Sequence, residues 1–182
     1  QLEDLIATVE NYKTIQLNWT AMEGAQKYII ERLSGDKWIQ IGETTEPTYV
    51  AKGVKTGKVY TYRVKVNKVD GTTTDYSNEA CATTTLTGEV ELTIALNGAT
   101  KFDLSWTKVD GATRYIIYRK DNDGEWKKIL TLGKDVVSYT TKEMKEGTYT
   151  YKVKAARYDS TDRVMTQGSN EETGVIGKSV PG

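Results

Sequence analysis

The 182-residue sequence predicts an all-β chain of two tandem, seven-stranded β-sandwiches, and three observations carry that prediction. The sequence repeats itself once, its apolar and polar residues alternate with a period of two, and glycine-containing turn signals separate the alternating stretches. Half the length, about 91 residues, is close to the roughly 100 residues of a small sandwich domain. We therefore place one domain at residues 1–86 and a second at residues 87–182.

The internal repeat matches residues of the same type at corresponding positions. At a constant offset of 87 residues the pairs are Trp19/Trp106, Gly24/Gly111, Tyr28/Tyr115 and Arg32/Arg119. Further along, the offset grows to 92 residues over the pairs Trp38/Trp126, Tyr49/Tyr139, Tyr60/Tyr149 and Ser77/Ser169. Small insertions of this kind belong in loops, so the strands of both copies are expected to correspond.

The alternation identifies the strands that line each core. In the first copy the apolar series are Ile15, Leu17, Trp19 and Tyr60, Tyr62, Val64, Val66. In the second copy they are Phe102, Leu104, Trp106 and Tyr149, Tyr151, Val153, Ala155. Residues between them, such as Arg63, should face outward, and Arg63→Ala is expected to change stability by no more than about 0.5 kcal/mol.

Short turn signals lie between the predicted strands. They are Glu23-Gly24, Gly35-Asp36, Asp70-Gly71, Asp110-Gly111 and Asp123-Gly124, in which the glycines or small polar residues tolerate positive φ. The segment Asp121–Glu125 also has the acidic composition of a calcium loop. It lacks the glycine at position six and the distal glutamate of an EF-hand, so we predict a hairpin turn there.

Several motifs together resemble fibronectin type III modules over nearly the whole chain. They are a Trp on the second strand, Tyr28-Ile29-Ile30-Glu31-Arg32 and Tyr115-Ile116-Ile117-Tyr118-Arg119 on the third, a Tyr-x-Tyr-x-Val sixth strand, and Ser-Asn-Glu before the seventh. The resemblance implies an immunoglobulin-like fold and a tyrosine corner at Tyr60 and Tyr149, after the apolar anchors Val54 and Met144. It further implies that first and last strands run out at opposite ends of each sandwich, so that tandem copies form an extended rod.

The Gly-Ala-x-x-Tyr run and lysine-rich surface are similar to bacterial versions of the family, which occur in secreted glycoside hydrolases, cell-wall proteins and phage tails. This similarity implies a non-catalytic, extracellular spacer or adhesion region of a larger surface or secreted protein. Two alternatives stay open, namely a glycan- or protein-binding module and a phage tail structural module. The expected partners are neighbouring domains of a larger chain, with a cell-wall or host glycan or protein as the alternative partner.

Composition narrows the classes of partner. The chain has 25 basic and 25 acidic residues, so its net charge gives no electrostatic basis for nucleic-acid binding. It contains no apolar run near the roughly 20 residues of a membrane helix, so we expect no membrane insertion. The start at Gln1 does not have signal-peptide regions, so the chain is expected to be either soluble in full or a piece of a longer protein, and the linker composition of Ser179–Gly182 favours a piece. We expect it to be a monomer.

No residue set predicts catalysis, a metal site or a cofactor. The chain has no histidine and one cysteine, Cys81, which excludes Ser-His-Asp and Cys-His arrangements, histidine-containing zinc sites and an intrachain disulfide. A filled sandwich offers no deep cleft for paired carboxylates. We therefore assign no catalytic residue, no cofactor and no metal.

Four residues are the candidates for binding. Trp38 and Trp126 open the fourth strand of each copy, where packing across the sheet edge is favoured over stacking on a ligand. The third strand of the second copy is apolar on both faces. If Tyr115 and Ile117 point inward, then Ile116 and Tyr118 point outward and form an exposed apolar patch.

Overall fold

The computed structural model describes residues 1–159, 162–166 and 168–178. The chain divides into two compact units, Gln1–Thr85 and Leu86–Gly182. Every regular element in the described part of the chain is a β-strand, as the alternation predicts. The described residues contain no helix long and apolar enough to span a bilayer.

The first unit contains strands β1 (Ile6–Asn11), β2 (Thr14–Asn18), β3 (Ala25–Ser34), β4 (Lys37–Thr44), β5 (Thr48–Ala51), β6 (Val59–Lys68) and β7 (Ala80–Thr83). They form a three-stranded sheet in the order β1-β2-β5 and a four-stranded sheet in the order β4-β3-β6-β7. All pairings within both sheets are antiparallel. Two antiparallel sheets that share one core make this unit a β-sandwich.

The second unit contains strands β8 (Leu92–Asn97), β9 (Lys101–Trp106), β10 (Arg114–Asp121), β11 (Trp126–Gly133), β12 (Ser138–Thr140), β13 (Gly147–Asp159), β14 (Asp162–Met165) and β15 (Glu172–Ile176). Its smaller sheet has the order β12-β9-β8. In the larger sheet, β11, β10 and β13 follow one another, and both β14 and β15 pair with β13.

The described strands of the second unit number eight, one more than the seven that the sequence predicts. The additional strand is β14, which pairs with the distal half of the 13-residue β13 while β15 pairs with its first half. At the corresponding place in the first unit there is only the single bridge between Asn67 and Thr73. The second copy therefore has an extra strand in the segment between its two strands that correspond to β6 and β7.

The predicted inward residues form the core of each unit. In the first unit Ile15, Leu17, Tyr62, Val64 and Val66 are fully buried and belong to one apolar cluster. Trp19 is 6% exposed in that cluster, and its ring meets Tyr28 edge-on with centroids 5.2 Å apart. The prediction of burial is confirmed, and the direct ring partner is Tyr28 of the third strand.

The core of the second unit follows the same plan. Trp106 is 5% exposed, and the centroid of its ring lies 6.0 Å from that of the Tyr115 ring. The Phe102 ring meets the rings of Tyr149 and Tyr151 edge-on. On β15, Gly174 faces the Phe102 ring so closely that a β-carbon at this position would overlap ring atoms. The ring therefore occupies the space that a side chain at position 174 would need.

The turns confirm most of the glycine predictions. Gly24, Gly35, Gly71 and Gly111 all have φ between +64° and +89°, where residues with a β-carbon are strained. In the turn from Asp121 to Glu125 the prediction was wrong in detail. The left-handed residue is Asn122, with φ of 52°, while the Gly124 N–H donates to the Asp121 carbonyl at 2.9 Å. Asparagine adopts this conformation more readily than most residues, and here the Asn122 side-chain oxygen accepts a hydrogen bond from the Thr148 N–H at 3.1 Å.

Both units contain a tyrosine corner. In the first, the Lys55 N–H donates to the Tyr60 hydroxyl at 2.8 Å, next to the buried anchor Val54. In the second, the Tyr149 hydroxyl donates to the Lys145 carbonyl at 2.8 Å. The backbone partner lies five residues upstream in one copy and four in the other, so reversing donor and acceptor accommodates the one-residue difference.

The ends of the first unit lie on opposite sides. Asn78, just before β7, accepts a hydrogen bond from the Leu5 N–H at 2.9 Å and donates to the Leu5 carbonyl at 3.0 Å, just before β1. At the other end, the Thr56 hydroxyl donates to the Tyr12 carbonyl after β1, and the Gly57 N–H donates to the carbonyl of Thr84 after β7. Strands β1 and β7 therefore start together and finish together, and the chain enters and leaves at opposite ends.

Candidate functional site

The candidate binding residues lie on the outward faces of the two larger sheets. On the first unit, the register places Arg63 beside Glu31 and Trp38 beside Leu33. On the second unit, it places Lys152 beside Tyr118 and Trp126 beside Lys120. The two faces use corresponding positions of the repeat, so each serves as a reference for the other.

A compact cluster covers the outward face of the first unit. The Arg63 guanidinium pairs with Glu31 Oε1 at 2.7 Å from one terminal nitrogen and 2.8 Å from Nε. It lies between two aromatic rings, 4.2 Å from the centroid of Trp38 and 3.4 Å from that of Tyr76. The Tyr76 hydroxyl donates to the second Glu31 oxygen at 3.2 Å. Because this cluster is mostly shielded, we expect Arg63 to contribute more to stability than the alternation alone indicated.

The remaining cations on this face also have partners. Lys27 pairs with Glu43 at 3.0 Å, and Lys65 donates to the Tyr76 hydroxyl at 3.4 Å. Trp38 is thus a packing partner of Arg63, as the sequence favoured. The charges of the first unit's outward face are therefore largely satisfied within the face.

The outward face of the second unit combines aromatic rings with lysines. Lys152 Nζ lies 4.2 Å from the ring centroid of Trp126 and 5.9 Å from that of Tyr118. Lys154 Nζ lies 5.3 Å from the Tyr118 centroid, and Lys120 Nζ lies 5.4 Å from the Trp126 centroid. Both rings are half-buried. We call Tyr118, Trp126, Lys120, Lys152 and Lys154 the lysine face.

Ile116 does not belong to an exposed patch. It points to the outward side of β10 as predicted, yet it is only 2% exposed. The physical reason is its place on a central strand, where Thr131 of β11 and Lys154 of β13 flank it in register. Its counterpart Ile29 is likewise buried, at 5%. Ile116 therefore cannot offer apolar contact area to a partner, and the candidate set reduces to Tyr118, Trp126 and Trp38.

The repeated arginines differ at the open edge of each sandwich. Arg32 donates to the Tyr62 hydroxyl at 3.0 Å and to the Lys52 carbonyl at 2.9 Å. Arg119 instead pairs with Asp121 at 2.6 Å, and the buried Tyr151 hydroxyl is left without a hydrogen bond of normal geometry. Burial raises the pKa of Tyr151 to about 12 and also raises that of Tyr62. A groove of about 570 Å³ runs beside Arg119, Tyr149 and Tyr151.

Metal-binding side chains do not gather at one place in the described residues. These residues hold no cluster of three or more His, Cys, Asp or Glu side chains that could bind a metal ion. Cys81 is exposed on β7 as a free thiol. The arrangement that the sequence reasoning missed is electrostatic, and its signal was the change from Glu31 to Tyr118 between the copies.

No family model matches the chain, and no curated protein matches its sequence. Among solved structures, a two-domain fibronectin type III segment of chicken tenascin is similar with a TM-score of 0.59, at 12% identity over 97% of this chain and 99% of that one. Chicken CNTN1 FN1–FN3 domains match with a TM-score of 0.46, at 16% identity over 97% of this chain and 64% of that one. An Fn3-like protein from Clostridium thermocellum matches at 32% identity over 44% of this chain and 86% of that one, with a TM-score of 0.40.

The fold assignment rests on the tenascin segment and on the strand order. The tenascin likeness extends over both units, and in each unit a three-stranded sheet shares a core with a larger antiparallel sheet. Tyrosine corners are present in both units. This chain is two tandem β-sandwiches with the fibronectin type III fold.

Proposed function

We propose that this chain is a non-catalytic spacer that holds neighbouring domains of a larger surface or secreted protein apart, outside the cell. The observation that carries the proposal is the placement of the chain ends in the first unit. Because the chain enters beside Leu5 and leaves beside Thr84, at the other end of the sandwich, passage through the unit moves the chain forward instead of returning it.

The span of that advance follows from strand geometry. Six residues separate Asn78 from Thr84, and an extended strand rises about 3.3 Å per residue, so the unit advances the chain by about 20 Å. The second unit has the same pair of hydrogen bonds between its first and last strands as Leu5 and Asn78 form in the first unit. The Leu92 N–H donates to Asn170 Oδ1 at 2.8 Å, and Asn170 Nδ2 donates to the Leu92 carbonyl at 2.9 Å. Filled cores keep each unit rigid, which suits a spacer.

A second candidate function is binding through the outward aromatics. The observation that favours it is the lysine face of the second unit, whose cations have aromatic neighbours instead of acidic ones. Spacing and binding are compatible, because the chain ends and the lysine face are different parts of the molecule.

The spacer proposal is tested by a distance within the first unit. Spin labels at Glu3→Cys and Thr85→Cys, in a Cys81→Ser background, should lie at least about 20 Å apart by electron-spin distance measurement. The control pair Glu3→Cys and Glu79→Cys lies at the end where Asn78 bonds to Leu5 and should give a distance of about 10 Å. Equal distances for the two pairs would mean that the chain returns to the end it entered, which contradicts the proposal.

A further inference from the structure

The internal repeat allows a comparison of charge at corresponding positions of the two outward faces. The cations persist, since Arg63 and Lys65 correspond to Lys152 and Lys154. The carboxylates do not persist. Glu31 corresponds to Tyr118, and Glu43, in register with Ile29, corresponds to Thr131, in register with Ile116. The second unit has therefore kept the positive charges, with Arg114 at the position of Lys27, and lost both carboxylates: Glu31, which pairs with Arg63, and Glu43, which pairs with Lys27.

Two further positions increase the difference. Leu33 and Gln40 of the first unit correspond to Lys120 and Lys128 of the second. Across the described strands β10, β11, β13 and β15, the side chains in register on this outward face include no acid; they are Arg114, Ile116, Tyr118, Lys120, Trp126, Lys128, Thr131, Thr148, Thr150, Lys152, Lys154, Ala156, Thr173 and Val175. Asp121 lies on the opposite side of β10, where it pairs with Arg119.

The aromatic rings fix where these charges lie. Three ammonium groups sit 4.2 to 5.4 Å from the nearest ring centroid, which is within the range of a cation–π contact. In the part of the chain that the structure describes, none of Lys120, Lys152 and Lys154 forms an ion pair with a carboxylate. A cluster of one sign on a neutral protein creates a local positive potential that attracts anions.

We propose that the lysine face binds an acidic polysaccharide. The face is an open sheet surface with cations on neighbouring strands and at alternate residues of β13, so it fits an extended chain with repeated anionic groups instead of a small ion. Lysine ammonium groups act as point charges, so carboxylate and sulfate groups are equally suited to them. The half-buried rings of Tyr118 and Trp126 hold these ammonium groups in place on the face.

The same geometry disfavours single-stranded nucleic acid. Sequence-tolerant binding of single strands depends on bases that stack on open aromatic faces. Here Lys152 and Lys120 occupy the face region of Trp126, and Lys154 and Lys152 do the same at Tyr118. The rings therefore position ammonium groups, and recognition acts through charge.

The test measures binding of the 182-residue chain to matched polymers at low salt. Dextran and dextran sulfate share a backbone and differ in charge, and polygalacturonate replaces sulfate with carboxylate. We expect binding to both anionic polymers, none to dextran, and a loss of affinity as salt rises, since exposed charges are screened. Poly(dT) and poly-glutamate are the comparison polyanions, and each is expected to bind more weakly than the polysaccharides.

Two variants test the assignment of the site. Lys120→Gln/Lys152→Gln/Lys154→Gln should weaken binding about tenfold, because each exposed charge contact contributes a factor of roughly two. Tyr118→Glu/Thr131→Glu restores the acids of the first unit and should weaken binding to a similar extent with all lysines present. The matched control Lys27→Gln/Lys65→Gln alters the first unit and should change affinity less than about twofold.

The outcomes separate the proposal from its rivals. Binding of dextran as tight as that of dextran sulfate, or equal effects of the control and the lysine variant, would overturn it. Tighter binding to poly(dT) or poly-glutamate would assign the face to a nucleic acid or an acidic protein instead. Circular dichroism shows whether each variant is folded. If the triple lysine variant does not fold, the binding of the Tyr118→Glu/Thr131→Glu variant is the test of the site. These results are independent of the distance between spin labels that tests the spacer.

Discussion

Replacing Arg63 with alanine removes the centre of the cluster on the first unit's outward face. The Arg63 and Glu31 side chains are 20% and 12% exposed, so solvent screens their ion pair only partly. Hydrogen bonds to charged groups contribute about 1.5 to 3 kcal/mol, and a stacked guanidinium adds about 0.5 to 1 kcal/mol. After allowance for the water that reaches Glu31 in the variant, we expect a loss of about 2 kcal/mol in the free energy of unfolding.

Urea denaturation of the whole chain measures this loss, and hydrogen-exchange mass spectrometry assigns it to residues 1–85. The matched control is Lys152→Ala, at the corresponding position of the second unit, where no carboxylate partner lies among the described residues and the change should stay within about 0.5 kcal/mol. In a double-mutant cycle with Glu31→Gln, a coupling of about 1 kcal/mol or more is expected. A loss below about 0.5 kcal/mol for Arg63→Ala would refute the reasoning from shielding.

Four further predictions concern the cores. Trp19→Ala should cost about 3 to 5 kcal/mol and unfold the first unit, and a loss under about 1 kcal/mol in urea would contradict the strand phase. Tyr62→Phe should cost about 1 kcal/mol, because Arg32 loses the hydroxyl that accepts its hydrogen bond. Tyr151→Phe should change stability by less than about 0.5 kcal/mol, because the Tyr151 hydroxyl has no such bond, and equal shifts in melting temperature for the two variants would contradict this. Because the pKa of Tyr151 is raised to about 12, the stability contributed by its protonated hydroxyl is complete below pH 10 and is lost as the pH rises towards about 12. In an alkaline titration, the second unit of the Tyr151→Phe variant should therefore unfold at a higher pH than that of the wild type. Gly174→Ala should destabilise that unit by more than about 2 kcal/mol through overlap with Phe102, while Gly177→Ala, with open space around it, should be neutral in the same melting experiment.

The repeat and the alternation were sufficient to predict both sandwiches. Side chains on a strand point to alternate faces, so Ile15, Leu17, Tyr62 and Val64 could be assigned to the core from sequence position alone. Glycines at 24, 35, 71 and 111 marked turns because positive φ is a local property of the backbone. The tyrosine corners at Tyr60 and Tyr149 were implied by the family resemblance, and the structure shows each hydroxyl bonded to backbone four or five residues away.

The candidate site was readable only in part, because its features depend on neighbouring strands. Alternation placed Ile116 on the outward side but could not show that flanking strands cover it. It placed Arg63 outward too, yet the partners that shield it, Glu31 and Tyr76, lie 32 and 13 residues away in sequence. The extra strand β14 depends on pairing with the far end of β13, which no local period reveals.

The sequence by itself therefore determined the class of fold, the two copies and the inward faces of β2, β6, β9 and β13, since those follow from local periodicity and repetition. The tertiary structure alone decided which outward charges are neutralised. Register across β3, β4 and β6 brings Glu31 to Arg63, and the same register across β10, β11 and β13 brings lysines to Tyr118 and Trp126 without an acid between them. The physical reason is that the energy of a charge depends on what lies within a few ångströms of it, and strand pairing sets those neighbours.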